Sequence, residues 1–384
     1  MRLHGKVRLR SINRKVNIMS SFRELANDWV LKAHIYEPGR PIEEVARELK
    51  LNPDKVIKLA SNENSLSPSP RAIKAMIKAA AQMHRYPDGG AFYLKKNLAK
   101  KLKIDPSCLI IGNGSNEIIE LLGHVFLDET SNIVMAERAF VVYRLVAEMF
   151  SATVESIPMF KFTHDLKSMA TIINGDTKIV FIGNPNNPTG TMVDGKAIDI
   201  FMQSIPDHVV VCFDEAYIEL LPENKQPDTL KYVKQGRNVI ILRTFSKTYG
   251  LAGLRVGYGI APQECIELLN KARQPFNVNA MALAAAQAAL NDDVFVRRTR
   301  KLVTDGLHYF CKSFKAMKLE YIPSVANFVL LKTGNGREVY QKLMQHGVIV
   351  RPMDPYGMPE YIRVTVGTDK ENRHFIKALV KVLK

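Results

Sequence analysis

The 384-residue chain lacks the long apolar runs and the closely spaced cysteines that mark two large classes of proteins. No stretch of about 18 apolar residues occurs, so we expect no membrane-spanning helix and no membrane partner. The cysteines form no CxxC pair, which argues against a disulfide framework and against a cysteine-rich metal site. They are Cys108, Cys212, Cys265 and Cys311. This spacing favours free thiols in a reducing compartment, and we predict a cytoplasmic protein without a bound metal.

Acidic residues are absent from the first 21 positions, which hold six lysines and arginines. The segment has no apolar core of the kind that secretory signals need. It is compatible with an Arg-rich transit peptide, with a basic arm, or with an extension translated from a start codon upstream of Met19. We interpret residues 1–29 as a basic N-terminal extension without fixed structure. The rest of the net charge of +16 is spread along the chain without interleaved aromatics, so we expect no nucleic-acid partner.

Internal repeats are also absent, and strand-like and helix-like segments alternate along the chain. Short β-branched runs, each bounded by Gly, Pro, Asn or Asp, are typical of strands. They are CLII, SNIVMAE, TKIVFIGN, HVVVCFDEAY, NVIILRTFSK and RVGYGIA. These runs do not alternate apolar and polar residues, and helical segments separate them. They therefore indicate an α/β fold with a mainly parallel sheet that is covered on both faces.

The pattern changes after a long apolar helix that we predict over residues 278–292. Two strand-like segments, ANFVLLKT and EYIRVTVGT, are flanked there by helical REVYQKLMQHG and KENRHFIKALVKVLK. A chain of this length also exceeds the usual single core. We therefore predict a large domain over residues 63–290 and a smaller α+β domain over residues 291–384. An N-terminal segment, residues 30–62, is expected to pack with the smaller domain.

Polar residues collect at the carboxyl ends of four predicted strands. GNGSNE follows the first strand, and NPNNPTG follows TKIVFI. Asp214 and Tyr217 follow the strand HVVVCF, while Ser246 and Lys247 follow NVIILRTF. Ligand sites in open α/β sheets form beyond these strand ends. We therefore expect these residues to share one site.

The residues at these ends suit one kind of chemistry. Lys247 is the only lysine in TFSKTYGLAGLR, with neutral residues around it as far as Arg255, and desolvation would lower its pKa so that it can form a Schiff base with an aldehyde. Asp214 could hold a proton on a pyridine nitrogen. Residues 114–116 at a helix start, with Ser246 and Arg255, could bind a phosphate. Each feature alone is common in turns and caps, but the ordered set predicts a pyridoxal-phosphate site.

The same segments make the chain resemble the fold-type I aminotransferases over nearly everything after residue 30. GNGSNEIIELL, NPNNPTGT, DEAYIEL, SKTYGLAGLRVGYGIA and YIRVTVGT are typical of that superfamily. YEPGRPIEEV, ASNEN and RYPDGG narrow the resemblance to the histidinol-phosphate aminotransferase family. The resemblance implies a pyridoxal 5′-phosphate enzyme that interconverts histidinol phosphate plus 2-oxoglutarate and imidazole-acetol phosphate plus glutamate, in histidine biosynthesis.

The resemblance also implies roles for individual residues around the cofactor. Lys247 would bind the cofactor covalently and move the proton at the substrate's α-carbon, with Asp214 at the pyridine nitrogen. Asn187 and Tyr217 would bond the ring hydroxyl oxygen, and Phe140 would stack on the ring. The expected phosphate ligands are Ser115, Asn116, Ser246 and Arg255, with Tyr86 contributed by the partner subunit. Position 116 is usually aspartate in the family, but asparagine keeps the backbone N–H that binds phosphate.

One pocket must accept the phosphate of histidinol phosphate and the carboxylates of glutamate. A guanidinium can bind either anion through paired hydrogen bonds. By the resemblance Arg363 is the expected anchor and Arg351 a second candidate, and Tyr36 and Asn64 would line the same pocket. Tyr86 precedes the turn PDGG and would reach the partner's site, which implies a homodimer with shared active sites.

Two other activities share these motifs. They are those of an aromatic amino-acid aminotransferase and of a threonine-phosphate decarboxylase. A non-enzymatic regulator on the same fold would need an N-terminal DNA-binding domain of about 60 residues. Only about 30 residues precede the region of resemblance.

Overall fold

The structure, a computed structural model, describes residues 21–32 and 37–384. The helices in this part of the chain are α1 Phe22–Leu25, α2 Asp28–Lys32, α3 Ile42–Glu48, α4 Pro70–Ala80, α5 Phe92–Leu102, α6 Ser115–Phe126, α7 Val141–Met149, α8 Leu166–Thr171, α9 Gly195–Ser204, α10 Leu230–Lys234, α11 Gln263–Ala272, α12 Ala280–Leu290, α13 Asp293–Ala316, α14 Gly336–Gln345 and α15 Asp369–Val382. The strands are β1 Ile57–Lys58, β2 Leu109–Gly112, β3 Asn132–Ala136, β4 Thr153–Ile157, β5 Thr177–Gly183, β6 Val210–Asp214, β7 Val239–Thr244, β8 Gly257–Ile260, β9 Tyr321–Ile322, β10 Phe328–Lys332, β11 Val348–Ile349, β12 Arg351–Pro352 and β13 Tyr361–Thr365. Within the two described ranges, no helix has both the length and the apolar character of a membrane span.

A seven-stranded sheet carries the larger part of the fold, in the order β2-β8-β7-β6-β5-β3-β4. Its neighbouring strands run parallel except at β8, which is antiparallel to both β2 and β7. The apolar runs of these strands reflect burial on both faces. In β6, for example, Val211 and Phe213 join one core and Cys212 joins the core on the opposite face. The predicted α/β fold with a mainly parallel sheet covered on both faces is confirmed.

A second, antiparallel sheet has the order β12-β13-β10-β9. Its core includes Phe310 and Phe314 from α13 and Phe375 from α15. Val45 of α3 and Leu59 lie in the same core, and β1 pairs in parallel with β11. Part of the N-terminal segment thus packs with the C-terminal α+β layer.

Some elements differ from the sequence-based expectations. The predicted helix over residues 278–292 is present as α12, but the 24-residue helix α13 was not predicted. Strand β4 was also missed because it lies at the sheet edge, and none of its residues is buried. In the predicted extension, residues 1–29, the described part contains α1 and the start of α2.

The parallel strands bring their carboxyl ends to one edge of the large sheet. β5 ends at Gly183, β6 at Asp214 and β7 at Thr244, and these strands are consecutive neighbours. β2 ends at the same edge and leads into α6 through Gly114. The four predicted groups of polar residues therefore meet, and strands β12 and β13 of the second sheet close over them.

Candidate active site

A cavity of about 380 Å³ lies at this edge, between the two sheets. Eleven of the thirteen predicted site residues that lie in the described ranges line it. They are Ser115, Asn116, Phe140, Asn187, Asp214, Tyr217, Ser246, Lys247, Arg255, Arg351 and Arg363. The loops after β2, β5, β6 and β7 supply most of them, so strand topology rather than closeness in sequence assembles the pocket.

Lys247 lies three residues beyond the end of β7 and faces the pocket from its base. Its Nζ donates a 3.4 Å hydrogen bond to the carbonyl oxygen of Ser61 and lies 5.7 Å from the ring centre of Tyr217. Burial, and after it the positive charge of Arg363, lowers the pKa of Lys247 to about 8. Roughly one tenth of this lysine is therefore a neutral, nucleophilic amine at pH 7, far more than for an ordinary lysine.

This pKa can be measured directly in protein freed of bound aldehydes. The acetylation rate of Lys247 should reach half its maximum near pH 8. Arg363→Ala should move that midpoint upward, because it removes a neighbouring positive charge. Competitive acetylation followed by peptide mass spectrometry reports both values. A midpoint above about 10, the ordinary range for lysine, would contradict the assignment of a desolvated amine.

Asp214, at the end of β6, is 6% exposed. The Tyr143 hydroxyl donates to its Oδ2 at 2.7 Å, and the Ala216 backbone N–H donates to its Oδ1 at 3.1 Å. Burial raises the pKa of Asp214, while these two hydrogen bonds act in the opposite direction. A cationic ring N–H placed against this carboxylate would offset the cost of its desolvation. The environment of Asp214 therefore suits a protonated pyridine nitrogen.

Tyr143 is a site residue that sequence reasoning missed. It lies in the first turn of α7, is 1% exposed, and stacks on Phe181 with ring centres 4.6 Å apart. Its position three residues after Phe140 reads as ordinary helix packing. The one available signal was that a buried tyrosine needs a hydrogen-bond partner for its hydroxyl.

Tyr217 is held from the other side by Asn62, a second residue that was missed. The Asn62 Nδ2 donates to the Tyr217 hydroxyl at 2.9 Å, and the Asn62 backbone N–H donates to Thr365 Oγ1 at 3.0 Å. Asn327 donates in turn to the carbonyl oxygen of Asn62. These bonds link residues more than 150 positions apart, so no local pattern could indicate them.

Arg351 and Arg363 lie directly opposite each other on the paired strands β12 and β13, and both are buried. Arg363 donates to Asn187 Oδ1 at 2.6 Å and to the Ala60 carbonyl oxygen at 2.8 Å. Arg351 donates to the Glu37 carbonyl oxygen at 2.6 Å. Like charges directly opposite on neighbouring strands are unfavourable. Two buried guanidinium groups in this register, both lining the pocket, therefore suit an anionic ligand.

The opposite corner of the pocket suits a phosphate. α6 begins at Ser115, so its free backbone N–H groups and its helix dipole face the corner where Ser246 and Arg255 lie. Gly114 has φ +79°, and a Cβ there would lie 2.7 Å from an Arg255 guanidinium nitrogen. A Cβ at Gly257 would lie 2.5 Å from the Ser115 backbone nitrogen. The two glycines are thus needed for the close approach of these groups, and the donors present fit a phosphate.

Two predicted residues in the described ranges, Asn64 and Tyr86, are not among those that line the pocket. Asn64 was expected on the pocket wall. Its Nδ2 instead donates to the Thr248 carbonyl oxygen and to Thr299 Oγ1, and neither threonine lines the pocket. Asn62 takes the place on the pocket wall instead. Tyr86 is 82% exposed and stacks on Phe276 outside the pocket. Tyr36 lies outside the described residues.

Metal binding is not indicated in residues 21–32 and 37–384. No group of three or more His, Cys, Asp or Glu side chains there has the geometry to hold a metal ion. The four cysteines are unpaired, and none lines the pocket.

Residues 54–379 match the family of class I and II aminotransferases. The chain is 48% identical over 94% of its length to the whole of a histidinol-phosphate aminotransferase from Akkermansia muciniphila. It is 46% identical to one from Moorella thermoacetica, over 92% of each chain. The fold is similar to that of the Sinorhizobium meliloti histidinol-phosphate aminotransferase solved with pyridoxal-5′-phosphate, with a TM-score of 0.86, 24% identity and coverage of 93% and 97% of the two chains. The chain therefore belongs to the class I and II aminotransferase family and, within it, to the histidinol-phosphate aminotransferases.

Proposed function

We propose that the protein is a pyridoxal 5′-phosphate-dependent aminotransferase that converts histidinol phosphate and 2-oxoglutarate, reversibly, to imidazole-acetol phosphate and glutamate, in histidine biosynthesis. The observation that carries this proposal is that Lys247 and Asp214 face the same cavity as the opposed arginines Arg351 and Arg363. Family membership at 43–48% identity to relatives with this name supports it.

The residues present fit the cofactor. When bound, pyridoxal 5′-phosphate supplies an aldehyde and a ring that withdraws electrons from the substrate's α-carbon. Asp214 would keep the ring nitrogen protonated, and Phe140 would stack on the ring. Asn187 and Tyr217 would donate to or accept from the ring hydroxyl. The proposed phosphate ligands are Ser115, Asn116, Ser246 and Arg255, together with Tyr86 from a second copy of the chain.

Lys247 is proposed to act twice. Its amine would first hold the cofactor and, once substrate has displaced it, would take the proton from the substrate's α-carbon and return it on the cofactor side. The lowered pKa supports this second role, because a general base works best when its pKa lies near the working pH. Asn62 would steady Tyr217 through its 2.9 Å hydrogen bond.

Arg363 is proposed to anchor the phosphate of histidinol phosphate and a carboxylate of glutamate, with Arg351 beside it. We expect Arg363→Ala to raise KM for both substrates and to lower kcat/KM about ten- to a hundredfold, because a charge-assisted contact is lost. The cofactor absorbance should stay nearly intact. Steady-state kinetics with each substrate in turn would measure these changes.

Two further variants make this result interpretable. Arg363→Lys keeps the charge but loses the paired geometry, so its kinetics should fall between those of wild type and Arg363→Ala. Arg373→Ala removes an exposed arginine of α15 and should stay within about twofold of wild type. Equal KM values in wild type and Arg363→Ala for both substrates would place the anchor elsewhere.

The proposed activity is tested by comparing histidinol phosphate, phenylalanine and threonine phosphate as substrates, with 2-oxoglutarate as acceptor. We expect the highest kcat/KM with histidinol phosphate and no release of carbon dioxide. A clear preference for phenylalanine would replace this reading with that of an aromatic aminotransferase. Carbon dioxide release from threonine phosphate would indicate the decarboxylase.

We further propose a homodimer with shared active sites. Tyr86 and Phe276 form an exposed aromatic stack, and Phe92 and Tyr93 follow it on α5 with 60% and 66% exposure. Exposed apolar surface of this kind marks interaction sites. Tyr86 lies outside its own pocket, which is consistent with a role in a partner's pocket.

Mixing two impaired variants tests this arrangement. Tyr86→Ala combined in equal amounts with Lys247→Ala should recover up to about one quarter of wild-type activity, because half the dimers are mixed and each has one intact site. Neither variant alone should reach that activity. If Tyr86 acted within its own subunit, mixing would give no recovery even where native mass spectrometry shows subunit exchange.

The boundaries of residues 30–62, 63–290 and 291–384 remain proposals for the N-terminal segment, the large domain and the small domain. The two separate cores around the two sheets support this division. We propose a cytoplasmic location, which the four unpaired cysteines support.

A further inference from the structure

The pocket wall is rich in positive charge and poor in carboxylates. Among the described residues that line it, the cations are Lys247, Arg255, Arg351 and Arg363. The carboxylates in the same part of the chain are Asp214 and Glu63. Asp214 lies deep in the pocket, in the position proposed for the ring nitrogen. The Glu63 side chain is 47% exposed, and the residue also lines an adjoining surface cleft together with Lys58. Glu63 belongs to the segment ASNEN, yet none of the roles proposed above involves it.

The backbone that carries Glu63 is fixed against the reacting centre. Asn327 Nδ2 donates to the carbonyl oxygens of Asn62, at 3.0 Å, and of Glu63, at 3.3 Å. The carbonyl oxygen of Ser61 accepts from Lys247 Nζ. The negative charge of Glu63 is close enough to oppose the lowering of the Lys247 pKa. Glu63 is therefore a carboxylate on a rigid support beside the lysine that would handle the substrate.

The Glu63 carboxylate is only loosely held by the protein. In residues 21–32 and 37–384, its hydrogen-bond partner is Lys58, whose Nζ lies 3.4 Å from Oε1. An exposed pair of this kind contributes little to stability. The carboxylate can therefore exchange Lys58 for a donor on a ligand at small cost.

The two proposed amino donors differ at one chemical group. Histidinol phosphate and glutamate both carry an anion that the arginines can bind, so Arg351 and Arg363 cannot tell them apart by charge. Only histidinol phosphate has an imidazole, whose N–H donates a hydrogen bond and which gains a positive charge below about pH 6.5. A site that recognises an N–H group needs an acceptor, and recognition by such a group discriminates strongly against ligands without it.

Resting on the proposed function, we propose that Glu63 is a specificity-determining residue that accepts a hydrogen bond from the imidazole N–H of histidinol phosphate. The arginines would bind the phosphate at the opposite end of the substrate. The two ends of this substrate would thus each meet a group of complementary charge, the phosphate at the arginines and the imidazole at the Glu63 carboxylate. When glutamate is bound, which has no imidazole, the Glu63 carboxylate would keep its ion pair with Lys58.

Two variants separate this role from that of a simple surface ion pair. Glu63→Gln removes the charge, and we expect it to lower the ratio of kcat/KM for histidinol phosphate to kcat/KM for glutamate about ten- to a hundredfold. The loss should lie mainly in KM for histidinol phosphate. Lys58→Gln removes the competing partner of the carboxylate, so the same ratio should stay level or rise. If Glu63 served only to pair with Lys58, the two variants would change the ratio alike, and the inference would be wrong.

The pH dependence provides a readout that a merely structural role would not move. In wild type, the preference for histidinol phosphate over the same molecule with phenyl in place of imidazole should increase as the pH falls through about 6.5. In Glu63→Gln this increase should be much smaller. Equal pH profiles in the two proteins would overturn the inference while leaving the proposed function intact. A wild-type enzyme that did not turn over histidinol phosphate would instead overturn both.

Discussion

Replacing Lys247 by alanine is expected to lower amino transfer by at least about 10⁴-fold, since the side chain is assigned both the covalent hold on the cofactor and the movement of the α-carbon proton. The purified variant should also lack the yellow absorbance band that borohydride shifts in wild type. Assays of glutamate formed from histidinol phosphate and 2-oxoglutarate would measure the first effect, and absorbance spectra before and after borohydride would measure the second. The absence of other lysines from the pocket wall, among the described residues, leaves no nearby amine to replace it.

The control for this experiment is Lys312→Ala. Lys312 is an exposed lysine of α13 and does not line the pocket. We expect its activity and absorbance to match those of wild type. Ordinary turnover in Lys247→Ala would mean that another amine does the chemistry.

Asp214→Asn is expected to keep cofactor binding but to lose about 10²- to 10³-fold in kcat, because the amide cannot hold a proton on the ring nitrogen as a carboxylate does. In wild type the Asp214 carboxylate is enclosed, with 6% of the residue exposed, so a solvent molecule cannot readily take its place beside the ring nitrogen. Absorbance titration with the cofactor would measure binding, and stopped-flow kinetics would measure the rate.

Tyr143→Phe separates charge from hydrogen bonding at the same carboxylate. It removes the 2.7 Å hydrogen bond to Asp214 but leaves the negative charge and the ring packing on Phe181. We expect a loss of about tenfold, well below that of Asp214→Asn. Equal losses in the two variants would show that the position of Asp214, rather than its charge, is what the reaction needs.

The large sheet and most of the pocket could be predicted because both depend on local sequence. Uninterrupted apolar runs indicate strands buried on both faces, and parallel strands bring their carboxyl ends together. The residues at or just beyond the ends of these runs, including Asp214 and Lys247, are therefore brought together at one edge of the sheet. The antiparallel direction of β8 has no comparable local signal, because direction depends on the path of the intervening chain.

The remaining parts of the site depend on contacts between distant residues. Asn62 and Asn64 are alike in the sequence, yet only Asn62 faces the pocket. Which of them does so is decided by Thr365 and Asn327, which lie about 300 and 265 positions further along the chain. The register that places Arg351 opposite Arg363 is likewise a tertiary feature. Tyr143 was missed because a tyrosine that follows the apolar spacing of a helix is normally interpreted as a core residue. Its role becomes clear only when Asp214 is known to accept a hydrogen bond from its hydroxyl.

Reduction of the purified protein with borohydride, followed by peptide mass spectrometry, tests the assignment of Lys247 most directly. If Lys247 holds the cofactor in this pocket, the pyridoxyl group will be found on the peptide that contains Lys247, and Lys247→Ala will carry none. A pyridoxyl group on any other lysine, or a fully active protein without one, would contradict the account.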